Sequence, residues 1–151
     1  MLFNALNSAV ILCRKDPDAA AELLIEISSY LQRSLVNRAS LITLEDELEH
    51  VFSYIYIQKV RFSHRLEVVL DIENGLSCLI PAFTLQPIVD NAIRHGLLKR
   101  KQGGTVSLSI HSVPLAVRVC IEDDGVGMSA EQLASSFNDG NQHRSLYRVH
   151  N

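Results

Sequence analysis

The chain has 151 residues, 47% of them hydrophobic, which suits one medium domain or a small domain with a helical appendage and excludes wholesale disorder. Its 14 basic and 17 acidic residues leave a net charge of −3, unlike the basic excess of a nucleic-acid binder. Three widely spaced cysteines, Cys13, Cys78 and Cys120, form no CxxC and read as reduced, mostly buried thiols in a cytosolic protein, not as a zinc site or a disulfide framework. No apolar run reaches the roughly 18 residues of a membrane span, and MLFNALNSAV lacks the basic lead and cleavage site of a signal peptide.

The first third reads as helix. Residues 2–13 place Leu2, Phe3, Leu6, Val10 and Cys13 on a stripe. Asp16 followed by Pro17 is a start signal for a second helix: a capping carboxylate, then proline at the first helical position. Ala20, Leu24, Ile27 and Leu31 then form a seam that suits packing within the chain, packing across a dimer, or an ordinary amphipathic helix. Residues 37–40 look like a break. Thr43 with Asp46 three residues later resembles a capping box. The helix it opens should carry Leu44, Leu48, Val51, Ile55 and Val60 on one face and run to about Phe62.

After Arg65 the period changes from helical to alternating. Leu66, Val68, Leu70 and Ile72 predict a strand, and Asn74-Gly75 a turn. LQPIVDNAIRHG at 85–96 returns to helical spacing through Leu85, Ile88, Val89, Ala92 and Ile93. Val106, Leu108 and Ile110, then Leu115, Val117, Val119 and Ile121, predict a hairpin with one face on a core and one in water. The expected architecture is α+β: an N-terminal helical hairpin followed by a two-layer α/β sandwich.

Two stretches could do chemistry. On the 85–96 helix, Asp90, Asn91, Arg94 and His95 crowd the side next to the apolar face. An amide oxygen can ligate a hard cation, and Arg94 and His95 can meet phosphate oxygens. About 30 residues on, a strand ends in EDDGVGM, where Gly125 and Gly127 let backbone approach a ligand and a carboxylate can accept from an amine. Taken alone, that run is also the composition of a plain turn or of a calcium-loop fragment. The basic run at 99–101 reads as a solvated loop, and so does His64 at its helix end.

Taken together, the two stretches resemble the N box and first glycine box of the Bergerat-fold (GHKL) ATPases. LFNALN at 2–7, YIYIQKVRFSHRLEV at 54–68 and IPAFTLQPIVDNAIRHG at 80–96 narrow the resemblance to the LytS/YehU/YpdA-type sensor histidine kinases. It implies a dimerisation and phosphotransfer-like segment over 1–40, a connecting helix over 41–63 and an ATP-binding domain over 64–151. It also implies roles: Asn91 on Mg²⁺, Asp90 polarising the phosphoacceptor or a water, Arg94 and His95 on phosphate, Asp123 on adenine, and Gly125 and Gly127 as the flexible turn. The implied cofactors are ATP and Mg²⁺. The implied partners are a second copy, through the N-terminal helices, and a response regulator, with no nucleic acid. The implied setting is the cytoplasmic part of a bacterial inner-membrane protein, attached through residues upstream.

Two departures accompany the match. The family's acceptor histidine belongs to PHFLFNAL, so here it would fall immediately before Met1. The second glycine box has become GNQHRSLYRVHN at 140–151, with His143, Arg144 and Ser145 where GIG is expected and Arg148 where Asn is expected. Bulky groups there would weaken backbone wrapping of phosphates. The alternative is therefore a catalytically impaired nucleotide-binding or scaffold module for dimeric signalling. A gyrase-like or Hsp90-like ATPase is disfavoured, because Pro87 occupies the position of their catalytic Glu.

Overall fold

The computed structural model describes residues 2–36, 41–98 and 102–125. The calls on residues 37–40, on residues 99–101, on Gly127 and on the second glycine box at 140–151 lie outside them, as do the side chains of His64 and His95.

Helix α1 (Leu2–Lys15) leads through Asp16 into α2 (Pro17–Val36). Asp16 serves both ends: its amide donates to Leu12 O at 2.8 Å, and its side chain accepts the Ala19 amide at 3.0 Å, as the Asp-Pro signal predicts. The helices meet on small residues. Ala5, Ala9 and Ala20 are buried, with Leu23, Ile27 and Tyr30 completing the seam. Of the predicted seam Ala20 and Ile27 are buried within the chain, whereas Leu24 and Leu31, like Phe3, Leu6 and Val10 of the α1 stripe, are exposed. Cys13 is exposed and Cys78 and Cys120 are half-buried, which corrects the expectation of mostly buried thiols. Alanines let two backbones approach closely, so the intrachain seam rotates onto them and leaves the larger side chains outside.

Strand β1 (Leu41–Thr43) precedes α3 (Leu44–Phe62). Thr43 caps α3 by accepting the Asp46 amide at 3.1 Å. Helix α3 is the centre of the molecule, in contact with α1, α2, a following strand and the 85–98 helix. It therefore buries Glu47, His50, Ser53 and Gln58 along with the expected Leu44, Leu48, Val51 and Ile55. A single 3-10 turn, Ser63–Arg65, leads to β2 (Leu66–Ile72). After the Asn74-Gly75 turn, β3 (Leu79–Pro81) pairs antiparallel with β1, a short ribbon with no counterpart among the predicted elements.

Helix α4 (Leu85–Leu98) is followed by β4 (Gly104–Val113) and β5 (Ala116–Asp123). The sheet order is β2-β4-β5, parallel between β2 and β4 and antiparallel between β4 and β5. Val106, Leu108 and Ile110 of the central strand are buried beneath Leu85, Val89, Ala92 and Ile93 of α4. Each of the larger side chains contributes about 1.5–3 kcal/mol by leaving water. The alternation holds in β4 and only partly in the flanking strands: Leu70 is half-exposed, and Leu115, expected on β5, lies in the tight turn with φ 65°. With Pro114 before it and Val113 paired to Ala116, that turn has a type II pattern, in which the third residue must take positive φ.

Candidate functional site at the start of helix α4

The position of α4 is fixed from outside. Buried Glu47 of α3 accepts the Leu85 amide at 2.8 Å and the Phe83 amide at 3.0 Å, so a carboxylate satisfies donors at the helix N-terminus and complements its dipole. Phe83, at φ 61°, turns the chain into the helix, and its ring meets His50 edge-on at 5.4 Å.

Two further polar contacts repeat this spacing. His50 Nε2 bonds Gln86 Oε1 at 2.9 Å, and the Tyr54 hydroxyl donates to Asp90 Oδ1. Glu47–Phe83, His50–Gln86 and Tyr54–Asp90 are each separated by 36 residues, so α3 and α4 run in the same direction in fixed register. Helix α2 joins the middle rung: Tyr30 stacks on His50 at 4.6 Å and accepts a bond from the Gln86 amide. Burial lowers the His50 pKa and raises that of Tyr54, whose upward shift the bond to Asp90 reinforces. His50 is thus the neutral imidazole and Tyr54 a permanent donor.

Among the predicted site residues, Asp90 and Arg94 are brought together, with Arg94 Nε 3.0 Å from Asp90 Oδ2. The Asp90 side chain keeps 30% exposure and that of Arg94 60%. Asn91 is half-buried on the same helix. Helix α4 packs on β4 and β5, and Asp123 ends β5. The Asp123 carboxylate is exposed and accepts the Gly125 amide at 2.9 Å, which starts the glycine turn. Asp124 accepts the Thr105 amide at 2.9 Å and ties that turn back to β4. The donor set suits a magnesium nucleotide: an amide oxygen for a hard cation, an exposed guanidinium for phosphate, and a carboxylate for an exocyclic amine. No cage of three or more His, Cys, Asp or Glu side chains occurs among the described residues, so a cation here would share its shell with waters and phosphates.

Glu47, His50, Tyr54, Gln86 and Asp124 were not among the predicted site residues. A signal for the first three does exist: they recur three and four apart along α3, a polar line beside its apolar face.

A helical hairpin leading into an α/β sandwich, with an Asp-Asn pair on the covering helix and an Asp-Asp-Gly turn at a strand end, is the Bergerat-type ATPase architecture. Comparison with known proteins agrees. The family model described as histidine kinase matches residues 1–66, and the one described as histidine kinase-, DNA gyrase B- and HSP90-like ATPase matches residues 82–149. The chain is 40% identical over 124 residues to the sensor histidine kinase BtsS of Escherichia coli K12, covering 82% of this chain and 22% of that protein. It is 36% identical over 128 residues to the sensor histidine kinase YpdA of the same organism, covering 84% and 23%. It is 37% identical over 134 residues to the sensor protein LytS of Bacillus cereus ATCC 14579, covering 87% and 23%. The chain belongs to this LytS/YpdA type of sensor histidine kinase and spans less than a quarter of the length of those relatives. No described helix is long and apolar enough to cross a membrane.

Proposed function

We propose that the chain is the kinase portion of a two-component sensor, binding Mg-ATP and directing its γ-phosphoryl to a histidine just upstream of Met1 and then to a response-regulator aspartate. The observation that carries this reading is the placement of Asp90, Asn91 and Arg94 on a helix whose register is locked, over strands that end in an exposed Asp123. In phosphoryl transfer the protein's task is mainly positioning and charge neutralisation. Asn91 would hold the cation, which neutralises the phosphates when bound. Arg94 and His95 would contact phosphate oxygens, Asp123 would accept the adenine amine, and Gly125 and Gly127 would let the loop approach. Asp90 would take the imidazole proton as the nitrogen–phosphorus bond forms and ADP departs.

Residues 1–40 would form the dimerisation segment, 41–63 the connecting helix and 64–151 the ATP-binding domain, all on the cytoplasmic side of a bacterial inner membrane. Phe3, Val10, Ile25 and Leu35 support the dimer, since each is more than 60% exposed on the hairpin. The test is autophosphorylation of a longer form that carries the upstream histidine. Labelled phosphohistidine is expected in the wild type, and its loss in Asn91→Ala. An unlabelled wild type, or unchanged labelling of the variant, overturns the reading.

The altered second glycine box, with His143, Arg144, Ser145 and Arg148, favours a second reading: a scaffold module with weak or no nucleotide binding. Calorimetry with Mg-ATP separates the two. A kinase site binds at micromolar to millimolar level and loses binding in Asp123→Asn, whereas a scaffold gives no heat in either protein.

A further inference from the structure

The polar line between α3 and α4 contains one group that packing alone does not explain, the Tyr54 hydroxyl. The Tyr54 side chain is 1% exposed, wedged in the core beside Val51 and Ile55, where phenylalanine would fill the same space. A phenol placed there must find a partner, because an unbonded buried hydroxyl is costly. Its partner is Asp90 Oδ1. The other contact of that carboxylate, with Arg94, is an i,i+4 pair whose arginine is 60% exposed. Such a pair is too weak and too mobile to hold a carboxylate in one orientation. Tyr54 is rigid, with two side-chain torsions and a packed ring, and it approaches from a helix that also fixes α4 through Glu47 and His50.

We infer that Tyr54 is the positioning residue for Asp90: its hydroxyl, fixed by the α3 core, orients the carboxylate whose Oδ2, shared with the exposed Arg94, serves the phosphoryl acceptor. This rests on the kinase reading above. The hydroxyl touches neither nucleotide nor acceptor and acts only through Asp90. Tyr54 stays protonated throughout the working pH range, because burial and the neighbouring Asp90 charge both oppose ionisation, so the orientation is permanent. General acid–base assistance of this kind contributes typically 10²–10⁴-fold, and a misaimed base loses much of it.

The experiment is autophosphorylation by the full-length protein, with kcat and the KM for ATP measured for the wild type, Tyr54→Phe, Asp90→Asn and the double variant. We expect Tyr54→Phe to lower kcat roughly tenfold with the KM within twofold of wild type, and Asp90→Asn to lower kcat about a hundredfold. The double variant should match Asp90→Asn within twofold, because the hydroxyl has no use without the carboxylate. Three outcomes overturn the inference: unchanged kcat in Tyr54→Phe, a loss of ATP affinity that parallels the loss of rate, or additive effects in the double variant. An unlabelled wild type is a different failure, since it removes the kinase reading first. Asp90→Asn with full activity removes Asp90 as the proton acceptor and the role of Tyr54 with it.

Discussion

Glu47, in the first turn of α3, accepts the amide of Leu85 at the start of α4, 38 residues later in the chain, at 2.8 Å. Its second oxygen accepts the Phe83 amide at 3.0 Å. Hydrogen bonds to a charged acceptor are worth about 1.5–3 kcal/mol, and removing the acceptor leaves donors unpaired in a closed site. Glu47→Ala should therefore lower stability by about 3 kcal/mol, and Glu47→Gln by about half as much, since one acceptor oxygen is retained. The check is the urea midpoint with an unchanged denaturant slope.

His50 predicts a pH dependence. Its pKa lies below the ordinary value because burial opposes the charged form, and this outweighs the favourable Gln86 bond and Glu47 charge; Arg33 adds to the lowering. The unfolded chain takes up a proton near pH 6.5 while the folded chain does not. This contribution to stability is fully present above that pH and is lost as pH falls toward the folded value. Urea midpoints should drop between about pH 7.5 and about pH 5.5, and less so in His50→Gln. Equal drops in the two proteins would remove His50 as the cause.

Two backbone positions should respond in opposite directions. Gly103 has φ +93°, and a Cβ built there meets Arg65 O at 2.4 Å, where β2 and β4 begin to pair. Gly103→Ala should cost about 3 kcal/mol or more through combined strain and clash. Leu115 sits at φ 65° with its side chain wholly in water, so it has no packing to lose. Leu115→Gly should raise stability by about 1 kcal/mol, read as a higher melting temperature.

The hairpin surface predicts association. Val10 is 68% exposed and Ile25 63% exposed on neighbouring helices. Exposed apolar side chains on two neighbouring helices suit the dimer proposed above. Sedimentation of the wild type should show a dimer, and Ile25→Asp should be monomeric with a melting curve like that of dilute wild type. A monomeric wild type at high micromolar concentration would rule out this use of the face.

Local signals were legible wherever one element's own chemistry decided the outcome. The Asp16-Pro17 and Thr43-Asp46 starts, the end of α3 near Phe62, and the buried face of α4 through Leu85, Val89 and Ile93 all appear as expected. What could not be read was which face packs within the chain. On α1 the stripe of large apolar residues named no partner, and the chain buries Ala5 and Ala9, because close helix approach depends on small side chains and hydrophobicity alone ranks them last. The β1–β3 ribbon is three residues per strand, too short to show alternation, and its pairing joins residues far apart in the chain. The acidic and amide positions of the candidate site stand in the sequence as motifs. Their supports, Tyr54 beneath Asp90 and Glu47 beneath Leu85, come from another helix and become visible only once α3 lies beside α4.

The constant 36-residue offset between α3 and α4 limits how this molecule can move. Sliding α4 by one helical turn, about 5.4 Å, would bring Asp90 to His50 and Arg94 to Tyr54 while stripping Glu47 from the amides it caps. All three contacts would break together, with no intermediate stop. Tyr30 of α2 touches both His50 and Gln86, so a displacement applied there is shared by α3 and α4 and not taken up between them.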